Sequence, residues 1–239
     1  MLSRAADLLW PRKCAAACTR ACDRPGRHVC SACLSGLPFH AASGICRICG
    51  TAIPSGTAAS FVCECCAEKP PAYEFARSAL RFSPPVDTLV EDFKYRHAIW
   101  LTEDLADFLE GAVRAGLAAA AIDVIVPVPL HPRRFRKRGY NQCALLARSL
   151  GGRLDRRVDE ASLRRVRDTP QQARLSAEER RRNLKGAFEA RSPMLRGRTV
   201  LLVDDVATTG STLDECAKTL SGAGAARVWC ATVARRMRE

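Results

Sequence analysis

Residues 200–212 read VLLVDDVATTGST, and no other stretch restricts the fold so closely. A short aliphatic run of this kind suits a strand buried on both faces of a parallel sheet. It is expected to end at Val203, leaving Asp204 and Asp205 side by side at the strand's C-terminal end. Behind them Ala207, Thr208, Thr209, Gly210, Ser211 and Thr212 lead into a helical pattern reaching about Ser221. Ligands of parallel α/β sheets bind beyond the C-terminal ends of the strands. Backbone N–H groups and hydroxyls converging at a helix N-terminus suit a phosphate, and Gly210 lets the backbone come close to it. Two adjacent carboxylates would repel unless each finds donors. The cis hydroxyls of a ribose 5-phosphate supply them, alone or with a Mg²⁺ bound through the sugar oxygens. The plainer reading, a turn at Asp205 and a helix cap at Ser211, accounts for neither the second aspartate nor the Thr-Thr-Gly run.

Other segments extend the α/β pattern. Strands are expected over residues 76–82, 122–129 and 228–233, and helices over 86–100, 101–117 and 141–150. Such βα units build a parallel sheet wrapped by helices, with the strand order left open. Residues 130–142, LHPRRFRKRGYNQ, read as a loop carrying five basic side chains in six positions. Residues 151–190 are arginine-rich and poor in large apolar side chains until Phe188. They read as an excursion with a short helix from Ser176, whose side chain caps it while Glu179 completes a capping box. A coreless segment of this length suits a lid over an anion site, spanning about 155–190.

The N-terminal part obeys a different rule. Ten of the 13 cysteines precede residue 67. Cys30–Cys33 and Cys46–Cys49 are C-x2-C pairs, Cys63–Cys66 forms a third, and Cys14–Cys18 is spaced C-x3-C. Two such turns complete a tetrahedral Zn²⁺ site. The expected sets are Cys14, Cys18, Cys30, Cys33 and Cys46, Cys49, Cys63, Cys66, with Cys22 able to replace Cys14 and Cys65 spare. Few large apolar residues lie between 14 and 66, so two Zn²⁺ ions would supply much of the folding energy. Disulfides are the alternative, and they need an oxidising compartment. The start of the chain, MLSRAADLLWPRK, makes a poor signal peptide, and the longest apolar stretch, 117–130, is too short and too interrupted to span a bilayer. The expectation is a cytoplasmic protein with no membrane insertion, built as a double zinc-ribbon module (1–68) and an α/β domain (69–239).

Net charge is +13, and residues 131–198 alone hold 20 basic against seven acidic side chains. That segment would attract a phosphorylated substrate or a polyanion. Arginine-rich composition is the plain alternative. Aromatic residues make up 6% of the chain, so few stacking platforms are expected and contacts to phosphate should dominate over base reading.

VLLVDDVATTGST resembles the phosphoribosyl pyrophosphate (PRPP) motif of type I phosphoribosyltransferases. PVPLHPRRFRKRGYNQ, the FKY around Lys94 and RVRDTPQQARLSAEERRRNLKGAF resemble the ComF branch of that family, competence-associated proteins with an N-terminal zinc ribbon. The C-x3-C of Cys14–Cys18 departs from the family's usual C-x2-C. The resemblance implies a Rossmann-like fold, PRPP with Mg²⁺ as ligand, and a link to DNA uptake through single-stranded DNA and DNA-processing proteins. It further implies that Asp204 and Asp205 hold the ribose hydroxyls and that residues 207–212 cradle the 5-phosphate. Leu130, His131, Arg133 and Arg134 would form the pyrophosphate loop. Residues 165–188 would close over the site, with Arg167, Gln172 and Asn183 as polar contacts. Three functions stay open: pentosyl transfer, single-stranded DNA binding, and sensing of PRPP or a nucleotide without turnover.

Overall fold

The computed structural model describes residues 12–16, 18, 20–40, 44–53, 61–169, 177–191 and 193–236. Two residues named above, Gln172 and the capping Ser176, lie outside them. The architecture is the expected parallel α/β sheet, with five strands in the order β1 (Phe75–Arg81), β7 (Arg227–Arg235), β6 (Thr199–Ala207), β2 (Val124–Pro127) and β3 (Arg157–Val158), every pair parallel. A separate antiparallel pair joins β4 (Leu163–Arg165) to β5 (Phe188–Ala190).

Alternation along the central strand creates two cores. Leu201 and Val203 of β6 pack with Ile125, Ala231 and Val233 against one set of helices. These are α1 (Val86–Tyr95), α2 (Thr102–Gly116) and α4 (Gln142–Leu154). Val200 and Leu202 face the other way, with Val124, Val126 and Val228, against α6 (Ser211–Gly222). All four of these β6 residues are fully buried, each contributing about 1.5–3 kcal/mol through burial. Helix α1 buries Val86, Leu89, Val90 and Phe93, the i, i+3, i+4, i+7 stripe of an amphipathic helix. It ends at Tyr95 rather than Trp100, because His97 adopts a left-handed φ of 56° before a 3-10 turn at Ile99–Leu101.

Three other stretches differ from the sequence reading. The basic loop after Pro129 contains α3 (Pro132–Arg138), with proline in its first turn and the His131 side chain accepting from Arg133 N at 3.3 Å. Helix α4 runs past Leu150 through Gly151, where any Cβ would lie 2.5 Å from Val158 Cγ2. That glycine is a point of close approach for β3, not a stop. Within 151–190, residues 157–158 join the main sheet and β4 and β5 pair, so regular structure borders the charged segment on both sides. Its helix, α5, is Ala177–Leu184.

The two cysteine groups dock on opposite faces of the sheet. Cys14 and Cys30 join the core of α1, α2 and α4, while Cys46, Cys49 and Cys66 join the core of α6. The first group is anchored by Asp104 of α2, which accepts from His28 N (2.8 Å), Val29 N (3.3 Å) and Arg24 Nη1 (3.1 Å). The second meets β1 directly: Ala76 N donates to Ile48 O at 2.7 Å. At Gly50 (φ 70°) a Cβ would come within 2.5 Å of Ala76 O, so only glycine permits this approach. Asp104 is completely buried, and Asp104→Ala strands two backbone donors and leaves Arg24 only its pairing with Asp107 and its bond to Val29 O. The variant is expected to lose about 3 kcal/mol of stability in denaturant unfolding, with the first cysteine group loosened before the sheet.

Candidate functional site

Strand β6 does not stop at Val203. It runs to Ala207 and pairs with β7 through Asp204↔Thr232 and Val206↔Ala234, so both aspartates lie inside a buried strand. Their side chains find separate donors. Asp204 Oδ1 accepts from Cys143 Sγ at 3.2 Å and from Asp205 N at 2.9 Å. Asp205 accepts from Gln142 Nε2 at 2.6 Å and pairs with Lys94 Nζ at 2.7 Å. Burial, followed by the charge of Asp205, pushes the Asp204 carboxyl up to about 6. Burial alone would discharge Lys94, but the facing Asp205 outweighs it and the ammonium is held above its usual range. Lys94 stands at the end of α1, and Gln142 and Cys143 open α4, so the ends of two helices converge on the acidic pair, with Cys143 packed in the core of α6.

Beyond Ala207 the chain turns at Gly210 (φ 80°), the N-cap of α6, which has no side chain of its own, and Ser211 N donates to Thr209 Oγ1 at 3.4 Å. Thr209 Oγ1 and Ser211 Oγ lie 2.8 Å apart. Asp214 N closes the first turn on Gly210 O at 2.9 Å, while Asp214 Oδ1 accepts from Ala72 N at 2.8 Å. Tyr73 Oη would lie 3.3 Å from a Cβ at position 210, so the loop rests against this ring. The N-terminal end of α6, with its positive dipole end and adjacent hydroxyls, can accept an anion.

The basic residues after Leu130 are held by one carboxylate. Asp168 lies 3.9 Å from His131 Nδ1, 3.5 Å from Arg133 Nη1 and 3.5 Å from Arg134 Nε, and Arg134 also donates to Thr169 O. Residues 130–134 and the start of the lid segment are thereby joined. Arg167 donates to Lys185 O at 2.6 Å and Asn183 O at 3.5 Å, tying the two ends of that segment together. Arg167 and Asn183 are thus neighbours. Sequence reasoning passed over Gln142, Cys143, Arg165 and Asp168. Arg165 donates to Thr169 Oγ1 at 2.5 Å and stacks over Phe188. A polar residue just inside a helix N-terminus was the available signal for Gln142, but nothing local links it to a strand 63 residues away.

Both cysteine sets assemble as expected, with Cys14 rather than Cys22 in the first. Cys22 Sγ instead points to Arg24 O, and Cys65 is exposed. Sulfur separations of 3.6 Å (Cys18–Cys30) and 3.7 Å (Cys49–Cys63) match the roughly 3.8 Å edge of a zinc tetrathiolate. Backbone N–H groups approach sulfur at Cys14 (from Cys30 N) and Cys46 (from Cys63 N), both at 3.3 Å, as thiolate ligands require. All 13 cysteines are free thiols. The donor chemistry fits two Zn²⁺ sites.

A phosphoribosyl transferase domain family model matches residues 111–239. The chain is 36% identical to DNA utilization protein YhgH of Salmonella typhi, over 78% of this chain and 89% of that protein. It is also 36% identical to Competence protein F of Haemophilus influenzae, over 68% of this chain and 73% of that protein. Competence protein ComFC of Bacillus subtilis is 33% identical over 43% of this chain and 40% of its own length. Among the described residues no helix is long and apolar enough to cross a membrane.

The raised Asp204 carboxyl makes stability depend on pH. The folded state keeps this proton up to about pH 6, whereas the unfolded chain releases it near 3.8. Its contribution is therefore complete below pH 3.8 and lost as pH rises through about 6. Asp204→Asn is expected to flatten that fall. Melting temperatures measured from pH 4 to 7.5 should show the wild type losing ground to the variant as pH increases.

Proposed function

This chain belongs to the ComF family of phosphoribosyl transferase domain proteins, and from that premise we propose that it binds PRPP through residues 204–212. The observation that carries the reading is the sequence of buried acidic pair, glycine turn and hydroxyl-lined helix N-terminus along one strand-to-helix connection. Asp204 and Asp205 accept from the ribose 2′ and 3′ hydroxyls, and residues 207–212 receive the 5-phosphate. Lys94, 2.7 Å from Asp205, holds that side chain in place for this task. His131, Arg133 and Arg134 take the pyrophosphate, and Asp168 is exchanged for it as the 165–188 segment closes. Asp204 and Asp205 are the residues that would hold a Mg²⁺ beside the sugar, and such an ion would supply countercharge for the pyrophosphate. The residues' own contribution to transfer is to align C1 for an incoming nitrogen, stabilise charge on the leaving group and exclude water around an oxocarbenium-like centre. In this division of roles residues 69–239 carry the ligand and residues 1–68 brace them. The DNA-utilization and competence names of its relatives support a place for the chain in DNA uptake.

A second reading has its own support. Tyr95 is 59% exposed with the Arg138 guanidinium stacked 5.0 Å from its ring centre, and Phe135 is 46% exposed on the same basic helix. The structure therefore offers more stacking surface than the aromatic content suggests. Single-stranded DNA could lie on these side chains, with stacking and phosphate contacts sharing the energy.

The two readings separate in solution. Asp204→Asn combined with Asp205→Asn is expected to weaken PRPP binding by at least about 100-fold in calorimetry, since two charge-assisted contacts are removed. Unchanged binding overturns the sugar-site assignment. DNA binding should instead survive that variant and fall with salt, with a log–log slope near −0.7 for each neutralised phosphate. Pyrophosphate release from PRPP, screened against bases, amines and DNA, decides whether binding leads to turnover.

A further inference from the structure

Arg235, at the end of β7, is 1% exposed. Among the described residues neither its Nε nor its Nη1 has a hydrogen-bond partner. A buried guanidinium with unpaired N–H groups costs several kcal/mol unless negative charge lies beside it. Its placement is unusual for the strand: Val233 and Ala234 both pack on the α1 face, and the break in alternation turns Arg235 toward the opposite face. There it lines a narrow cleft between the second cysteine group and the α6 turn, with Cys49, Cys66 and Tyr73 on one side and Thr209, Gly210 and Ser211 on the other. Asp214, the carboxylate of that cleft, is already engaged by Ala72 N and Lys218 Nζ. Arg24, beside the first cysteine group, is different, because Asp104 and Asp107 neutralise it.

The second cysteine set lines that cleft beside Arg235. Four thiolates around Zn²⁺ leave a formal charge of about −2 on sulfur atoms that still accept N–H donors. We propose that Arg235 is the counter-cation of the Cys46, Cys49, Cys63, Cys66 centre. Through that pairing it joins the centre to the residue 209–211 turn, so metal in this tetrad, and not in the first, holds one wall of the turn. The inference rests on reading the second tetrad as a metal centre. It does not depend on which ligand the turn receives.

The test uses the full chain loaded with two Zn²⁺ ions. Zinc release is titrated with a chromogenic chelator, and amide exchange is followed over residues 207–213. Arg235→Met is expected to release one ion about tenfold or more readily while the other is unchanged. Arg235→Lys, which keeps the charge, should stay within about threefold of wild type. Cys49→Ser, which disables the second tetrad, should speed exchange of the turn, and Cys30→Ser in the first tetrad should not. Wild-type zinc affinity at both sites in Arg235→Met overturns the proposal, as does an equal loss in the Lys and Met variants. If Arg235→Met fails to fold even with zinc present, the Lys variant and the two cysteine variants decide. Equal exchange of the turn in Cys49→Ser and Cys30→Ser then overturns it. Because no sugar phosphate enters these measurements, their failure is distinct from failure of PRPP binding.

Discussion

Successive side chains of β6 leave opposite faces of a sheet that is covered on both sides, and the candidate site is built on that alternation. Leu201 and Val203 commit one face to α1, α2 and α4, and Val200 and Leu202 commit the other to α6. Asp204 and Asp205 inherit the same separation. One meets Cys143 and the other meets Lys94 and Gln142, so two adjacent carboxylates survive inside a strand because each has its own donors. Charges buried in this way are costly as a contribution to stability, and the raised Asp204 carboxyl shows that the cost is only partly offset. A ligand that brings hydroxyl donors would relieve it. A site that awaits donors is destabilised while empty, which is how many binding sites hold strain.

The cysteine groups solve a different problem on the same sheet. Residues 14–66 hold too little apolar surface to stand alone, yet they add to both cores from opposite sides of the β1 edge. Metal binding can order each turn locally, and the sheet supplies the surface on which the ordered turns rest. The two attachments are chemically unlike. The first relies on a buried carboxylate, Asp104, reading backbone donors. The second relies on the missing side chain of Gly50, which lets backbone meet backbone at Ala76. Among the described residues, the second adjoins the α6 turn.

Where the sequence was misleading, long-range contact was the reason. The helix at Pro132–Arg138 carries a basic run that reads as a loop, because no apolar periodicity announces it; proline at its start and a histidine cap are enough to form it. The helix expected over 141–150 continues to Leu154, and Gly151 makes room for Val158 of a strand too short to be recognised locally. The extension of β6 through two aspartates defies strand propensity, and pairing with β7 overrides it. Asp168 gathers three predicted site residues, and no pattern in its own neighbourhood signals that.

The sequence by itself determined the chemistry available: two sets of four thiols at metal-ligand spacing, an acidic pair followed by a hydroxyl-rich turn, and the parallel α/β class. These are local in the chain, and spacing within a turn or strand decides them. Tertiary structure decided which groups meet. It selected Cys14 over Cys22, gave Asp205 to Lys94, set the two cysteine groups on opposite faces, and left Arg235 beside the second. Each of those choices joins residues far apart in the chain, and only the packing of helices on both faces of a twisted sheet sets such distances.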